Sequence, residues 1–540
     1  MTQKPVLEVK NLSVRLSDGA RSRNVIENVN LDVSAGETVC IVGESGSGKS
    51  VTSLAIMGLL PKNILSPSGT ILLDGEDVLK VGSTRLRQLR GTRMAMVFQE
   101  PMTALNPVEP VGKQIEEVLQ LHSQCSRAEK RQMVIDMMKS VHLSTPNEIY
   151  DAYPHQLSGG QRQRILICMA LILKPALLIA DEPTTALDVT TQKQILSLIK
   201  ELQQTLNTAV IFITHDFGVV AEIADRIVVM NNGAIVETGS REEILSRPKQ
   251  SYTRMLVSSV PSLTPKDDKR LLGEPILAVT GLSRVYREFK LFRTGRSVNA
   301  VKDAEFTLRK AEIVGIVGES GSGKSTLARC ISRLIEPTTG KIDLGGHDIA
   351  SLSPRQLRPF RRRIQIVFQD PYRSLNARLR VGESIVEGLL NFGIKRTDAR
   401  KKAAELIRLV GMEPDVLRRY PHQFSGGQRQ RICIARALSL EPDVLVADEA
   451  VSALDVSVQS QILALLRSIR DLRNIGIVFI THDLRVAAQI CDTIIVMQNG
   501  AIVETAPARD VLLHPNNEYT RALLSAAPGR GWDFQNFRPI

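Results

Sequence analysis

The sequence predicts the α/β fold class, in two homologous domains that follow one another along the chain. The main observation is an internal repeat: ETVCIVGESGSGKS, ending at Ser50, returns as EIVGIVGESGSGKS, ending at Ser325. Later landmarks recur at an offset that settles at 267 residues from Ser158 and Ser425 onward. Such a repeat is much longer than the units of a solenoid, so each copy is expected to fold as a globular domain.

The second observation is a pattern of strand, loop and helix in each copy. The β-branched runs Thr38–Val42 and Ile313–Val317 lead directly into glycine-rich loops and then into apolar-periodic helices. Segments 176–180 and 210–213, with their copies, are apolar enough to be buried parallel strands. Later in each copy an Asn-Gly dipeptide, at 232 or 499, predicts a hairpin.

Long charged and leucine-periodic stretches separate the glycine-rich loops from the later strands. They cover residues 108–153 and 381–420, and they predict an inserted, mostly helical subdomain in each copy. The polar segment 262–275 is too short to fold alone and is expected to be a linker. The predicted boundaries are therefore 1–261 for the first domain and 276–540 for the second.

The composition is typical of a globular protein without a membrane span. Of the 540 residues, 43% are hydrophobic and 23% are charged, as in ordinary globular domains. The longest apolar run, 165–173, is well short of the roughly 18 to 20 residues that cross a bilayer. The first residues, MTQKPVLEVK, are not the apolar segment of a secretory signal. We therefore expect the chain to stay in the cytosol.

The net charge of +12 allows nucleic acid, phosphorylated ligands or an anionic membrane surface as partners. Aromatic residues, at 4%, are few for base stacking. The arginine run 361–363 is interpreted as a solvated edge or a lipid-facing patch rather than a nucleic-acid site. No C-x-x-C pair occurs, which argues against a zinc site, an iron-sulfur cluster or a disulfide scaffold. Buried free thiols are expected at Cys40, Cys125, Cys168, Cys330, Cys433 and Cys491.

Both glycine-rich loops have the pattern G-x-x-x-x-G-K-[ST], which predicts phosphate binding. Glycines let the backbone wrap phosphates, and backbone N–H groups at the following helix N-terminus supply positive potential. The lysine is expected to pair with the outer phosphates and the final serine to ligate Mg²⁺. A plain glycine-rich turn is the alternative, but the flanking elements and the repetition favour a nucleotide site. The predicted residues are Gly43, Glu44, Ser45, Gly46, Ser47, Gly48, Lys49, Ser50, Gly318, Glu319, Ser320, Gly321, Ser322, Gly323, Lys324 and Ser325.

A pair of acids ends an apolar strand in each copy. These pairs are Asp181-Glu182 in LLIADEP and Asp448-Glu449 in VLVADEA. The first acid of each pair is expected to hold Mg²⁺ through water, and the second to act as general base on an attacking water. Ordinary surface charges are the alternative. The buried approach and the recurrence at one spacing favour the catalytic interpretation.

The segments YPHQLSGGQRQR and YPHQFSGGQRQR each place Ser-Gly-Gly-Gln before a predicted helix. A serine N-cap followed by two glycines exposes backbone N–H groups at a positive helix end, which suits an anion. An ordinary helix cap explains the local pattern equally well.

Taken together, these motifs resemble the ABC ATPase superfamily, and two copies of its motif set cover nearly the whole chain. The order is P-loop, glutamine loop, L-S-G-G-Q signature (F-S-G-G-Q in the second copy), D-E pair, Ala-Leu-Asp loop and switch histidine. The resemblance implies two tandem ABC-type P-loop NTPase domains. Each would be a RecA-like α/β core with an antiparallel β subdomain and an inserted helical subdomain.

The resemblance also implies how ATP and Mg²⁺ are held. The two domains would pair head to tail, with each ATP between the P-loop of one domain and the signature of the other. An isolated histidine after a strand is more often structural, but here its position matches the family. The residues implied are Ser158, Gly160 and Gln161 at the site of Lys324; Ser425, Gly427 and Gln428 at the site of Lys49; Gln99 and Gln369 at Mg²⁺ and the attacking water; and His215 and His482 at the γ-phosphate.

Members of the superfamily stack adenine on an aromatic residue shortly after the first strand. Tyr286 matches this position in the second copy, whereas the first copy has Leu16. Adenine stacking is therefore expected to be weaker in the first site. Because both copies keep the glutamate of the D-E pair, both sites are expected to hydrolyse ATP.

Other segments are similar to the dipeptide/oligopeptide/nickel import family of ABC ATPases. They are PMTALNP, PYRSLNA, the basic insertion at 287–298, and the closing segments SYTRMLVSSVP and EYTRALLSAAP. Fused forms of this kind serve peptide, glutathione and microcin-type uptake. The resemblance implies an ATP-hydrolysing subunit of a bacterial importer for peptides or peptide-like solutes, peripheral on the cytoplasmic face of the inner membrane.

The partners implied are two integral-membrane permease subunits and an extracytoplasmic solute-binding protein, with ATP and Mg²⁺ and without nucleic acid. The alternative is a tandem ABC ATPase that acts on nucleic acid or the ribosome.

Overall fold

The computed structural model describes residues 4–18, 21–61, 65–99, 101–184, 187–265, 273–290, 293–452 and 454–540. Contacts group the chain into two units, Met1–Val260 with Pro528–Ile540, and Pro261–Ala527. Each unit combines parallel and antiparallel strands with surrounding helices, which confirms the α/β class. Parts of the predicted linker (262–275) and of the basic insertion (287–298) lie outside the described residues.

Among its described residues, the first unit has ten strands and eleven α-helices outside its C-terminal segment. The strands are β1 (Leu7–Asp18), β2 (Arg21–Val33), β3 (Thr38–Val42), β4 (Leu65–Leu73), β5 (Glu76–Asp77), β6 (Met94–Val97), β7 (Leu177–Asp181), β8 (Ala209–Ile213), β9 (Arg226–Asn231) and β10 (Ala234–Ser240). The helices are α1 (Lys49–Ile56), α2 (Ser83–Thr92), α3 (Pro101–Ala104), α4 (Val111–His122), α5 (Arg127–Ser140), α6 (Pro146–Tyr150), α7 (Gly159–Leu171), α8 (Val189–Leu206), α9 (Phe217–Ile223), α10 (Arg241–Ser246) and α11 (Ser251–Ser258).

A six-stranded sheet forms the centre of this unit, in the order β10-β9-β3-β8-β7-β6. Its strands are parallel except for the pair β9 and β10. The apolar strands β3, β7 and β8 are buried along their whole length. Because the carboxyl ends of parallel strands meet at one edge, the loops after β3, β6, β7 and β8 converge there. The antiparallel sheet β2-β1-β4-β5 is the predicted β subdomain.

The second unit repeats this construction, and the part of it that the structure describes has nine strands and ten α-helices. The strands are β11 (Pro275–Lys290), β12 (Arg293–Arg309), β13 (Ile313–Val317), β14 (Thr339–Leu344), β15 (Ile364–Val367), β16 (Val444–Asp448), β17 (Gly476–Ile480), β18 (Thr493–Gln498) and β19 (Ala501–Pro507). The helices are α12 (Lys324–Ile331), α13 (Pro354–Leu357), α14 (Pro371–Ser374), α15 (Val381–Asn391), α16 (Arg396–Leu409), α17 (Gly426–Leu438), α18 (Val456–Arg473), α19 (Leu484–Ile490), α20 (Ala508–Leu513) and α21 (Glu518–Ala526).

The strand order of the first core recurs as β19-β18-β13-β17-β16-β15. Here the antiparallel strands β14-β11-β12 join the same sheet through one parallel bridge between Lys302 and Ala501. The predicted strands Thr38–Val42 and Ile313–Val317 are confirmed. The helical insertions are confirmed as α4 to α6 and as α15 and α16.

The predicted hairpins are also confirmed, between β9 and β10 and between β18 and β19. Asn232 and Gly233 have φ values of 47° and 83°, and Asn499 and Gly500 have 50° and 85°. Two consecutive positive φ angles are what a type I′ turn requires, and Asn-Gly is the dipeptide that adopts them at least cost.

Five of the six cysteines are buried, but Cys125 is half-buried, so the expectation for that residue is wrong. Cys125 lies in the connection between α4 and α5, and such connections run over the surface. In the second unit, Arg362 and Arg363 face Glu441 and Asp443 of the same unit, at 3.8 and 2.6 Å. No helix within the described ranges is long and apolar enough to cross a bilayer.

The C-terminal segment Pro528–Ile540 groups with the first unit, although the sequence-based boundaries assign it to the second domain. It holds two short paired strands, β20 (Trp532–Asp533) and β21 (Arg538–Pro539). The N–H of Gly529 donates to Glu222 Oε1 at 2.8 Å, and Phe534 is buried. The bond from Gly529 to Glu222 joins this segment to the rest of the first unit, and such a contact leaves no periodic signal in the sequence.

Candidate active site

Each glycine-rich loop joins a central strand to a helix N-terminus. Gly48 precedes α1 with a φ of 104°, a conformation that favours glycine. Lys49 is only 6% exposed, and its ammonium donates to the carbonyl oxygens of Gly43 at 2.7 Å and Glu44 at 2.9 Å. The lysine is thus folded back over the loop that phosphates would enter. In the second copy Lys324 donates in the same way to Gly318 at 2.8 Å and Glu319 at 2.7 Å.

The last serine of each loop meets the first acid of the D-E pair. Ser50 Oγ donates to Asp181 Oδ1 at 3.3 Å, and Ser325 Oγ donates to Asp448 Oδ1 at 3.0 Å. Burial raises the pKa of both aspartates, and the neighbouring glutamate acts in the same direction, while the serine hydrogen bond opposes them. A hydroxyl and a carboxylate oxygen at this separation are the hard donors that Mg²⁺ prefers. The residues present therefore fit a magnesium ion.

The second acid of each pair bridges the glutamine and the histidine. Gln99 Nε2 donates to Glu182 Oε2 at 2.7 Å, and His215 Nδ1 lies 3.1 Å from Glu182 Oε1. A carboxylate held from both sides is fixed in position at the carboxyl edge of the sheet, as a general base must be. In the second copy the same three residue types meet, but both contacts are to one oxygen: Gln369 Nε2 lies 2.9 Å and His482 Nδ1 3.4 Å from Glu449 Oε2.

The backbone at the glutamates is unusual. Glu182 and Glu449 have φ values of 46° and 48°, in the left-handed region. Their N–H groups donate to the carbonyl oxygens of Ile213 and Ile480, at 2.9 and 3.0 Å. A non-glycine residue in this region costs about 1 to 3 kcal/mol, so the surroundings must hold it there. The turn places each carboxylate at the site immediately after a buried strand.

In the second copy Glu449 and His482 shift each other's pKa. Burial alone would raise the pKa of Glu449, but the hydrogen bond and charge of His482 bring that pKa below its usual value. Conversely, burial lowers the pKa of His482, and Glu449 outweighs that effect and raises it. The glutamate is therefore held ionised, and an ionised carboxylate is the form that can accept a proton.

The signature serines cap the helices that follow them. Ser158 Oγ accepts from the N–H of Gln161 at 3.2 Å, and the Gln161 side chain accepts from the N–H of Ser158 at 2.9 Å. A Cβ added at Gly160 would lie 2.6 Å from Thr191 Cγ2 on α8, so glycine is required for this packing. The helix cap is thus real, while the anion-binding role stays a prediction. Ser425, Gln428 and Gly427 repeat this arrangement, with Val458 in place of Thr191.

Comparison with known families identifies the motif set. The family described as ABC transporter matches residues 26–185 and 301–452, more than half of the chain. The chain belongs to the ABC transporter ATPases. The family described as the C-terminal region of oligopeptide/dipeptide transporters matches residues 236–282 and 503–533, so this region also occurs twice.

Individual relatives cover almost the whole of this ABC ATPase. It is 46% identical to the glutathione import ATP-binding protein GsiA of Pectobacterium atrosepticum, over 98% of this chain and 90% of that protein. It is also 46% identical to GsiA of Escherichia coli, over 97% of this chain and 89% of that protein. The peptidoglycan transport ATP-binding protein YejF of Agrobacterium fabrum is 45% identical, over 97% and 96%.

The two residues expected at the adenine position of this ABC ATPase, Leu16 and Tyr286, lie at equivalent places in the two units. In β1, Leu16 pairs with Arg23 of β2, and in β11, Tyr286 pairs with Val298 of β12, at the same place in the two hairpins. Tyr286 is 38% exposed. The Arg284 guanidinium lies 4.9 Å from its centroid.

The structure brings together, within each unit, the P-loop, the glutamine, the D-E pair and the histidine that the motifs predicted. Among the described residues, the contacts of Ser158 stay within its own helix cap. Sequence reasoning missed Tyr252 and Tyr519, whose hydroxyls reach the P-loop backbone. They belong to the repeated YTR segments, and that repetition was the available signal.

Proposed function

We propose that the chain is the ATP-hydrolysing, energy-coupling subunit of a bacterial importer for peptides or peptide-like solutes. The observation that carries the ATPase part is the arrangement found in both units: serine beside aspartate, and glutamate held between glutamine and histidine. The oligopeptide/dipeptide C-terminal region and the relatives named for glutathione and peptidoglycan transport support the solute class.

In the proposed reaction, the P-loop backbone and Lys49 bind the phosphates of ATP in the first site. Ser50 and Asp181 hold Mg²⁺, which when bound offsets charge on the phosphate oxygens. Glu182 orients the attacking water and accepts its proton, and Gln99 and His215 keep this carboxylate in place. Lys324, Ser325, Asp448, Glu449, Gln369 and His482 take the same roles in the second site.

The signature motifs complete the proposed sites. Ser425 and Gly427 would contact the ATP held by Lys49, and Ser158 and Gly160 the ATP held by Lys324. Each helix N-terminus then supplies N–H donors to the phosphates from the side opposite the P-loop. The two domains would close on ATP and open after hydrolysis, which is the motion that drives transport.

Replacing both proposed bases tests hydrolysis. Glu182→Gln combined with Glu449→Gln keeps side-chain size but removes the proton acceptor, so turnover should fall by about 10² or more while ATP still binds. Phosphate release and nucleotide binding are measured on the same preparation. The matched control changes two exposed glutamates away from the sites, Glu242→Gln with Glu305→Gln, and should retain wild-type turnover. Undiminished turnover in the first double variant would contradict the assignment.

Co-purification tests the transport role. The chain would lie peripherally on the cytoplasmic face of the inner membrane and bind two permease subunits, which receive solute from an extracytoplasmic solute-binding protein. Purification of the tagged full chain from solubilised membranes should recover two integral membrane proteins in stoichiometric amounts. Recovery of ribosomes or DNA in their place would instead support the nucleic-acid-associated alternative.

A further inference from the structure

We propose that Tyr252 and Tyr519 are positioning residues, which hold the first turn of each P-loop from the C-terminal region of the same unit. The N–H of Glu44 donates to the Tyr252 hydroxyl at 3.3 Å, and the N–H of Glu319 donates to the Tyr519 hydroxyl at 3.1 Å. The partners are 208 and 200 residues apart in sequence. The inference rests on the ATP-binding role proposed for these loops.

The N-terminus of each tyrosine-bearing helix is hydrogen-bonded to a strand of the core sheet. Glu237, on β10, accepts from the N–H groups of Lys249 at 2.7 Å and Gln250 at 3.1 Å, directly before α11. These N–H groups belong to the helix start, where a carboxylate is favourable. The second unit has the same anchor, with Glu504 accepting from Asn516 at 2.8 Å and Asn517 at 3.3 Å before α21.

The same helices are also held by burial. Thr253 and Thr520, which follow the two tyrosines, are fully buried, and Leu256 and Val257 on α11 are buried as well. The tyrosine ring is therefore carried by a helix with a packed face and a fixed start. A hydroxyl on such an element positions its partner better than one on a loop would.

The tyrosine and the lysine hold opposite sides of one turn. Lys49 takes the carbonyl oxygens of Gly43 and Glu44, whereas Tyr252 takes the N–H of Glu44. A lysine drawn towards phosphate gives up carbonyl contacts, but the tyrosine contact does not compete with the nucleotide. The hydroxyl therefore keeps the loop ordered for ATP and acts on ATP affinity rather than on the chemical step.

Hydrogen exchange of the nucleotide-free full chain tests the contact itself. With residue-level fragmentation, the Glu44 and Glu319 amides of the wild type should be protected, and Tyr252→Phe with Tyr519→Phe should speed their exchange by about fivefold. Free exchange of these two amides in the wild type would overturn the proposal without any variant. The control, Ser258→Ala with Ser525→Ala, removes exposed hydroxyls on the same two helices and should leave exchange at 44 and 319 unchanged.

Kinetics tests the consequence. The Tyr252→Phe and Tyr519→Phe double variant should have an ATP KM raised by about fivefold, with kcat at saturating ATP within about twofold of wild type. Unchanged KM and unchanged exchange, in a wild type that binds ATP, would overturn the positioning role. A wild type that does not bind ATP would overturn the proposed function, and the ATP-affinity role of the tyrosines with it.

Discussion

The two units of the chain carry the same catalytic contacts but differ around them. Serine meets aspartate at 3.3 Å in the first unit and at 3.0 Å in the second, and glutamine meets glutamate at 2.7 and 2.9 Å. By contrast, the position proposed to stack adenine is Leu16 in one unit and Tyr286 in the other. The groups proposed to surround the phosphates are therefore the same in the two units, while the groups proposed to hold the base differ.

The first prediction tests whether the two proposed phosphate sites are equivalent. Glu182→Gln and Glu449→Gln, made separately, should each remove hydrolysis at one site and leave the other, so both should keep about half of the wild-type turnover. Steady-state phosphate release is the measurement, with matched protein concentrations. An inactive variant beside one with full activity would show that the likeness of the two sites does not extend to function.

The second prediction tests the difference at the adenine position. Tyr286→Leu should weaken MgATP binding at the second site by about tenfold, because base-aromatic stacking is lost, and Leu16→Tyr should tighten binding at the first. The dissociation constant of each site is measured in a chain whose other site is disabled. Lys49→Ala disables the first site when the second is measured, and Lys324→Ala disables the second when the first is measured. Tyr286→Phe keeps an aromatic ring and serves as the control, with affinity within about twofold. Equal MgATP affinity of Tyr286→Leu and Tyr286→Phe would show that stacking on this ring does not contribute to binding.

The third prediction concerns the stability that Glu237 supplies by anchoring the start of α11. Burial pushes the pKa of Glu237 upward, but hydrogen bonds that include the N–H groups of Lys249 and Gln250 outweigh it and hold that pKa below its usual value. A lowered carboxyl pKa gives stability that is present above the unfolded value, about 4.3, and is lost as pH falls through the folded value.

Glu237→Gln should therefore destabilise the chain by about 1 kcal/mol at pH 7, since the carboxylate is only half-buried. The difference from wild type should shrink as the pH falls below about 4. The free energy of unfolding is measured by urea titration at pH 7 and at a pH below about 4. Unfolding is monitored through a signal that reports on the first unit. A difference that is the same at both pH values would show that side-chain shape, and not charge, anchors the helix.

The sequence predicted the elements with strong local signals. The bounds of Thr38–Val42 are predicted as observed because the segment is a short β-branched run that ends at a glycine-rich loop. The roles of Ser50, Asp181 and Glu182 stay predictions from motif chemistry, although the structure brings Ser50 Oγ to 3.3 Å from Asp181 Oδ1. Geometry was less accessible, since the left-handed φ of Glu182 depends on strands that are distant in sequence.

Contacts between distant segments were the part that local patterns could not supply. The bond between Glu44 and Tyr252 joins the P-loop to a helix 208 residues later in the sequence. The grouping of Pro528–Ile540 with the first unit is accompanied by a hydrogen bond from Gly529 to Glu222, a contact that has no periodic signal in the sequence. Cys125 was misjudged because burial was assigned by residue type, whereas its place in a surface connection decided it.

The most direct test of the account is the number of ATP molecules bound by the chain when hydrolysis is blocked. The Glu182→Gln and Glu449→Gln double variant is equilibrated with labelled ATP and Mg²⁺, and bound nucleotide is counted per chain by equilibrium dialysis. Two complete sites predict two ATP per chain, and Lys49→Ala or Lys324→Ala should each remove one. One ATP per chain, or none, in the hydrolysis-blocked variant would contradict the claim that both halves are working nucleotide sites.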